Sequence, residues 1–328
     1  MQGLRRSDWG DFTALLVSAV AAAMAPLQVF LFAYIFLGPM HYLTEMAWLR
    51  KKEFYFGDGL VSPKIYLVLA TGTASLVLLQ LGVHRDLGYW IIAPLLLLSL
   101  SVWLRNRYVL AAVMLSALAA AFLVKPWVYF IAVITPTLVH VFFFTWVFMI
   151  SGALRKQVPG YAKWVNPTLV VVLPLALLGL NIHYAQPGSF WLRSEAVSFA
   201  GLHATLSKHL HHTMQMNETL LSDRAAAAVV RVFAFAYLFH YLNWFAKTEL
   251  LQWHKISGRA WTTIGCLYAA AIGVYMWNIR VGIIVVNFMG MMHVLLEFPL
   301  NWHTLRFVTG RMRGVRGETK PARVEATV

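Results

Sequence analysis

The chain has 328 residues, of which 60% are hydrophobic and 12% charged, with a mean hydropathy of +0.65. A soluble globular domain carries about 45–50% apolar and 25% charged residues, so this composition excludes an ordinary water-soluble fold and points to an all-α, polytopic transmembrane helix bundle. The single cysteine, Cys266, excludes a disulfide framework and a Cys-rich metal site, and the net charge of +14 falls in short loops and a basic tail, a pattern that suits anionic lipid headgroups rather than nucleic acid.

From the N-terminus, Arg5 and Arg6 are followed by Asp8 and Asp11, with no small-residue cleavage site after a short apolar core, so no removable signal peptide is expected. The apolar stretch from Phe12 to Leu49 is too long for one span and too short for two. Pro26 is expected to divide it into a short leading helix and a true span. A span needs roughly 17 to 25 apolar residues. Runs of that kind fall at about 27–49, 63–83, 88–104, 108–124, 127–151, 165–182, 224–247, 260–276 and 282–303, about nine in all. Residues 1–310 read as a single transmembrane helical domain, with an amphipathic interfacial helix at about 198–221, and 311–328 as a basic disordered tail.

Loop charge supplies a topology. Loops after odd-numbered spans carry Arg50, Lys51, Lys52 and Lys64, then Arg105 and Arg107, then Arg155, Lys156 and Lys163, then Lys247, Lys255 and Arg259, and the tail adds six more basic residues. The opposite side carries far fewer. By the positive-inside rule the C-terminus lies in the cytoplasm, as expected of an integral protein of a bacterial inner membrane.

One ten-residue phrase occurs near both ends: Phe36-Leu37-Gly38-Pro39-Met40-His41-Tyr42-Leu43-Thr44-Glu45 and Phe288-Met289-Gly290-Met291-Met292-His293-Val294-Leu295-Leu296-Glu297. Its pattern, F-[LM]-G-x-M-H-x-L-x-E, sets an imidazole and a carboxylate one helical turn apart on one face. Ionisable groups at membrane depth are costly and mark functional sites by default. His41, His140, His240 and His293 fall in the first, fifth, seventh and ninth expected spans, which share one direction. Each stands 7 to 11 residues before the expected end of its span, about 10 to 16 Å at 1.5 Å per residue. Four imidazoles at one level could surround a metal. Glu45 and Glu297 would serve as further ligands or catalytic proton acceptors. Imidazole with carboxylate suits iron, zinc or manganese, and two carboxylates could bridge two irons, although carboxylate di-iron bundles use Glu-x-x-His. The plain alternative is four histidines that glue helices together.

In the seventh span His240, Asn243, Trp244 and Lys247 share a face, so Asn243 could orient His240 or a bound oxygen. Trp244 and Lys247 are equally explained as interfacial residues. His240 and His254 stand fourteen apart, as in helices that hold two haems, but no second helix carries a matching pair. A cross-helix haem between His41 and His240 stays open. A further cluster, His183, His203, His209, His211 and His212, lies in the connection before the seventh span and offers a second metal site or an ordinary interfacial helix.

The strings HYLTEMAWL, FAYLFHYLNWF and HVLLEFPLNW resemble those of an uncharacterised bacterial multi-span membrane family, over most of the chain. More distantly, single intramembrane histidines on several helices are similar to the layout of the bacteriorhodopsin-related-protein-like beta-carotene dioxygenases, which use His-bound iron to cleave a carotenoid. That family has two histidines one turn apart where this chain has His240 followed by Trp244, so no residue is carried over. The resemblance implies only His-bound iron facing a lipidic substrate. The sequence thus leads to a membrane metal-dependent oxidoreductase acting on a lipophilic small molecule (isoprenoid, carotenoid or lipid). Its alternatives are a proton- or ion-coupled transporter and a haem-binding or structural subunit. No nucleotide-binding loop, serine-nucleophile elbow or zincin motif is present.

Overall fold

A computed structural model describes residues 6–51, 135–155, 163–184 and 224–313, with 108, 109, 112, 115 and 116. All regular elements among them are helical, and no strand occurs among the described residues. In chain order they are α1 (Arg6–Met24), α2 (Pro26–Phe32), a π-helical segment (Ala33–Leu37), α3 (Gly38–Lys51), a second π-helical segment (Thr135–Phe144), α4 (Thr145–Arg155), α5 (Val165–Gly179), α6 (Arg224–Ala246), α7 (Thr248–Leu251), α8 (Gly258–Trp277) and α9 (Ile279–Met312).

The division expected at Pro26 falls at Ala25, whose φ of −145° and ψ of 63° leave the helical region, and Pro26 opens α2, where its missing N–H costs nothing. Three helices among the described residues are long and apolar enough to cross a membrane: Pro26–Lys51, Ala227–Ala246 and Gly258–Trp277. They match the expected spans at 27–49, 224–247 and 260–276. Those at 127–151, 165–182 and 282–303 meet the shorter apolar helices Val139–Arg155, Val165–Gly179 and Ile279–Val294. The spans at 63–83 and 88–104, nearly all of 108–124, the helix at 198–221 with its histidines, and the tail beyond 313 lie outside the described residues. One boundary differs greatly. Helix α9 continues for 34 residues to Met312, so His293 stands 19 residues before its end rather than about ten. Hydropathy marks where apolar residues stop, whereas a helix stops only when its backbone bonding does.

The structure divides into two compact units that alternate along the chain. The first comprises Met1–His41, Lys156–Leu250 and Leu267–Ile283, and the second Tyr42–Arg155, Leu251–Cys266 and Ile284–Val328.

In the first unit α1 packs against α6, α5 and α2, and α6 also receives α2 and α5. The inner face of α1 carries Asp8, Asp11, Leu15, Ser18 and Ala22, all buried at helical spacing, while Leu16, Val17 and Val20 are exposed. Small residues let backbones approach: a methyl at Gly10 would lie 3.5 Å from the Ala246 Cβ. Phe30 and Tyr34 stack on each other and both meet Tyr237 edge-on, at 5.2 and 5.8 Å between centroids. Arg231, fully buried in α6, donates from Nε to the Leu177 carbonyl (2.9 Å), from Nη2 to the Leu180 carbonyl (2.8 Å) and from Nη1 to the Tyr184 hydroxyl (3.3 Å). Its charge thus sits on the last carbonyls of α5, the negative end of that helix dipole. Asn278 caps α9 by accepting the Arg280 and Val281 N–H groups.

In the second unit Val147, Ile150 and Val308 form a core cluster flanked by Trp146, Leu154, Leu305 and Phe307. Phe144 meets Trp302 edge-on, and the Arg155 guanidinium lies 4.5 Å from the Phe307 ring centre. Trp48 donates from Nε1 to the Leu251 carbonyl at 2.8 Å, and the Lys51 ammonium donates to the Lys255 carbonyl. In a bilayer such contacts hold helices together by dispersion and hydrogen bonding, because lipid tails offer apolar side chains an equally apolar alternative.

Candidate metal centre

Four ionisable side chains meet in the second unit, all buried: His140, His293, Glu45 and Glu297. Helix α9 contributes His293 and Glu297, α3 contributes Glu45, and the second π-helical segment contributes His140. His293 Nδ1 lies 2.9 Å from the Gly290 carbonyl oxygen. A carbonyl only accepts, so Nδ1 carries the proton and Nε2 the lone pair. That Nε2 lies 3.5 Å from Glu45 Oε2, and His140 Nδ1 lies 3.1 Å from Glu297 Oε2. The two imidazole rings stand edge to face, with centroids 4.8 Å apart and planes at 85°. Tyr42 stacks on His293 at 4.7 Å and 26°. Gly290 makes room for that ring, since a methyl there would come within 3.3 Å of it.

The arrangement fits a metal ion. One ligand atom from each of His140, His293 and Glu297 falls within 4.8 Å of the others. Two ligands bonded at about 2.0–2.1 Å to one tetrahedral ion lie about 3.3 Å apart; within the trio His140 Nδ1 and Glu297 Oε2 are 3.1 Å apart, and Glu45, outside it, comes within 3.5 Å of His293. Charge argues the same way. Two carboxylates buried among apolar helices are costly as anions, and a divalent cation between them brings the net charge to zero. The donated Nδ1–H of His293 is also the kind of outer contact that fixes a metal-binding imidazole. Without an ion the same atoms stand as two close His–carboxylate contacts, 3.1 and 3.5 Å apart, the second with no proton on His293 Nε2 to share. The π-helical setting of His140 adds weight, because such segments are frequent at functional sites.

The first unit brings together the other two predicted ligands. His41 Nε2 and His240 Nε2 lie 3.0 Å apart, with the rings at 79°. Trans axial ligands of one iron would be about 4 Å apart, twice a bond of about 2 Å, so the pair is set as hydrogen-bonded imidazoles or as adjacent ligands rather than as the two faces of a haem. Tyr241 and Trp244 flank His41 at 5.0 and 5.5 Å. Asn243 is buried, but its Oδ1 has no hydrogen-bond partner among the described residues, so the predicted contact to His240 is not made through that oxygen. His254 stands exposed in the turn between α7 and α8, and His183 is exposed beyond the end of α5.

Three residues escaped the sequence reading. Tyr42 and Gly290 both lie inside the repeated phrase, whose shared glycine was the available signal. Arg231 is a lone basic residue in an apolar run, itself a rarity that marks a structural or functional role. No protein-family model matches the chain, nor does any curated protein or solved structure.

Proposed function

We propose that the protein is a membrane-embedded metalloenzyme of about nine spans in which His140, His293 and Glu297 hold a metal ion. Iron is the first candidate, zinc or manganese next, given imidazole and carboxylate donors. Glu45 is the further ligand or proton acceptor beside His293. His41 and His240 offer a second pair of imidazoles, with Asn243 one turn from His240. The ion would supply a Lewis-acidic, oxygen-binding centre, which requires one coordination position left to solvent or substrate. Burial among apolar helices favours a lipophilic substrate, such as an isoprenoid, carotenoid or lipid chain, and oxidative chemistry. The observation that carries this reading is the convergence of three buried ligand atoms within 4.8 Å.

Elemental analysis of the detergent-solubilised protein tests it. About one iron per chain is expected, lost in His293→Ala and reduced in Glu297→Gln, because removing one of three or four ligands leaves too few to hold the ion. Metal-free protein that takes up none of iron, zinc or manganese sinks the proposal. The second reading is a proton- or ion-coupled transporter, favoured by the 3.0 Å contact between His41 and His240, a geometry suited to passing a proton. A haem absorption band would instead favour a haem-binding subunit.

A further inference from the structure

Helices α1 and α6 of the first unit run antiparallel. At one end Gly10 meets Ala246, and Asp11 Oδ2 lies 3.9 Å from the Lys247 ammonium, which is partly exposed. At the other end the Tyr184 hydroxyl donates to the Ala23 carbonyl while accepting from Arg231. Between these ends the inner face of α1 carries Asp11 and Ser18, two turns apart. The facing stretch of α6 carries Asn243 and His240, four and seven residues before Lys247, on one side of the helix. Ser18 is completely buried, and Asp11 and Asn243 are 6% and 8% exposed. Asp11 Oδ1, Ser18 Oγ and Asn243 Oδ1 have no hydrogen-bond partner among the described residues.

Buried polar atoms in native proteins are almost always bonded, to protein or to internal water. Three such atoms on two packed helices, one on the Asp11 carboxylate and two between it and the pair of imidazoles, describe places for water. We infer that α1 and α6 enclose a file of water that joins the solvent beside Lys247 to the His41–His240 pair. The file opens at Asp11, past the partly exposed Lys247 ammonium. Water held by Asn243 and Ser18 continues it over the roughly 10 Å that seven helical residues span. It ends at the two imidazoles, whose Nε2 atoms lie 3.0 Å apart.

The hydration is tested without any metal. In a Cys266→Ser background, Ser18→Cys and Asn243→Cys are treated with methanethiosulfonate ethylammonium, which reacts only with a hydrated thiolate. Both are expected to react within about tenfold of the rate of the exposed native Cys266. Leu31→Cys, at a fully buried apolar position of α2, should stay unmodified. Rates for Ser18→Cys and Asn243→Cys no faster than for Leu31→Cys overturn the water file.

Discussion

Gly290 acts on the candidate centre twice, through its carbonyl, which fixes the His293 tautomer, and through its missing side chain, which lets Tyr42 lie flat on the same ring. Gly290→Ala keeps the first contact and disturbs the second, since the Tyr42 ring must yield by a few tenths of an ångström. The expected result is a metal affinity lowered by about tenfold, the size of effect seen when an outer contact to a metal-binding histidine is lost. Tyr42→Phe keeps the stacked ring and is expected to bind as the parent does. Metal titration of the two variants checks this, and equal affinity in Gly290→Ala would show that Tyr42 has no part in holding His293. Part of this was legible in the repeated phrase, which marked Gly290, His293 and Glu297 together. The pairing was not. The phrase suggested each histidine beside the carboxylate one turn along its own helix, whereas the short contacts run between elements, His293 to Glu45 and His140 to Glu297. Sequence spacing reports neighbours along a helix and is blind to which helix faces which.

Among the elements, the turn from α8 to α9 shows how little space some joints leave. Asn278 caps α9, and a methyl on Gly282 would sit 2.3 Å from the Tyr275 Cα, a backbone atom that cannot move aside. Gly282→Ala is therefore expected to destabilise the protein by about 1–3 kcal/mol, the usual cost of overpacking a close contact. Thermal unfolding in detergent measures it, and an unaltered midpoint would mean that the two helices are not held that closely. The same comparison of pattern with structure explains what hydropathy could and could not deliver. It placed α2 with α3, α6 and α8, because long apolar runs leave few alternatives, and Pro26 marked the break before α2 because proline cannot continue a helix backwards. It missed the end of α9, where charged residues such as Arg306 and Arg311 continue the helix, since charge does not break helical bonding. It also passed over Arg231, whose partners are the end carbonyls of α5. Those appear in no composition, because backbone acceptors are the same at every residue.

For the molecule as a whole, the structure adds a regularity to the charge asymmetry of the loops. Each histidine-bearing stretch ends in basic residues: Arg50 and Lys51 close α3, Arg155 closes α4, Lys247 follows α6, and Arg311 lies in the last turn of α9. Cations there complement the negative ends of the helix dipoles, and the positive-inside rule applied to them predicts that those ends face the cytoplasm. Both effects act in the same sense, so the orientation of these helices should be strongly set. A fluorescent-protein fusion after Val328 is expected to fluoresce, and alkaline phosphatase fused at the same point to be inactive, since it folds only in an oxidising compartment. Phosphatase fused after Gly179, at the opposite end of the apolar helix that starts beside Lys163, is expected to be active. If the C-terminal phosphatase fusion were the active one, His293 and Glu297 would approach the other face of the membrane. Basic residues at these helix ends would then be complementing dipoles alone, with no part in setting topology.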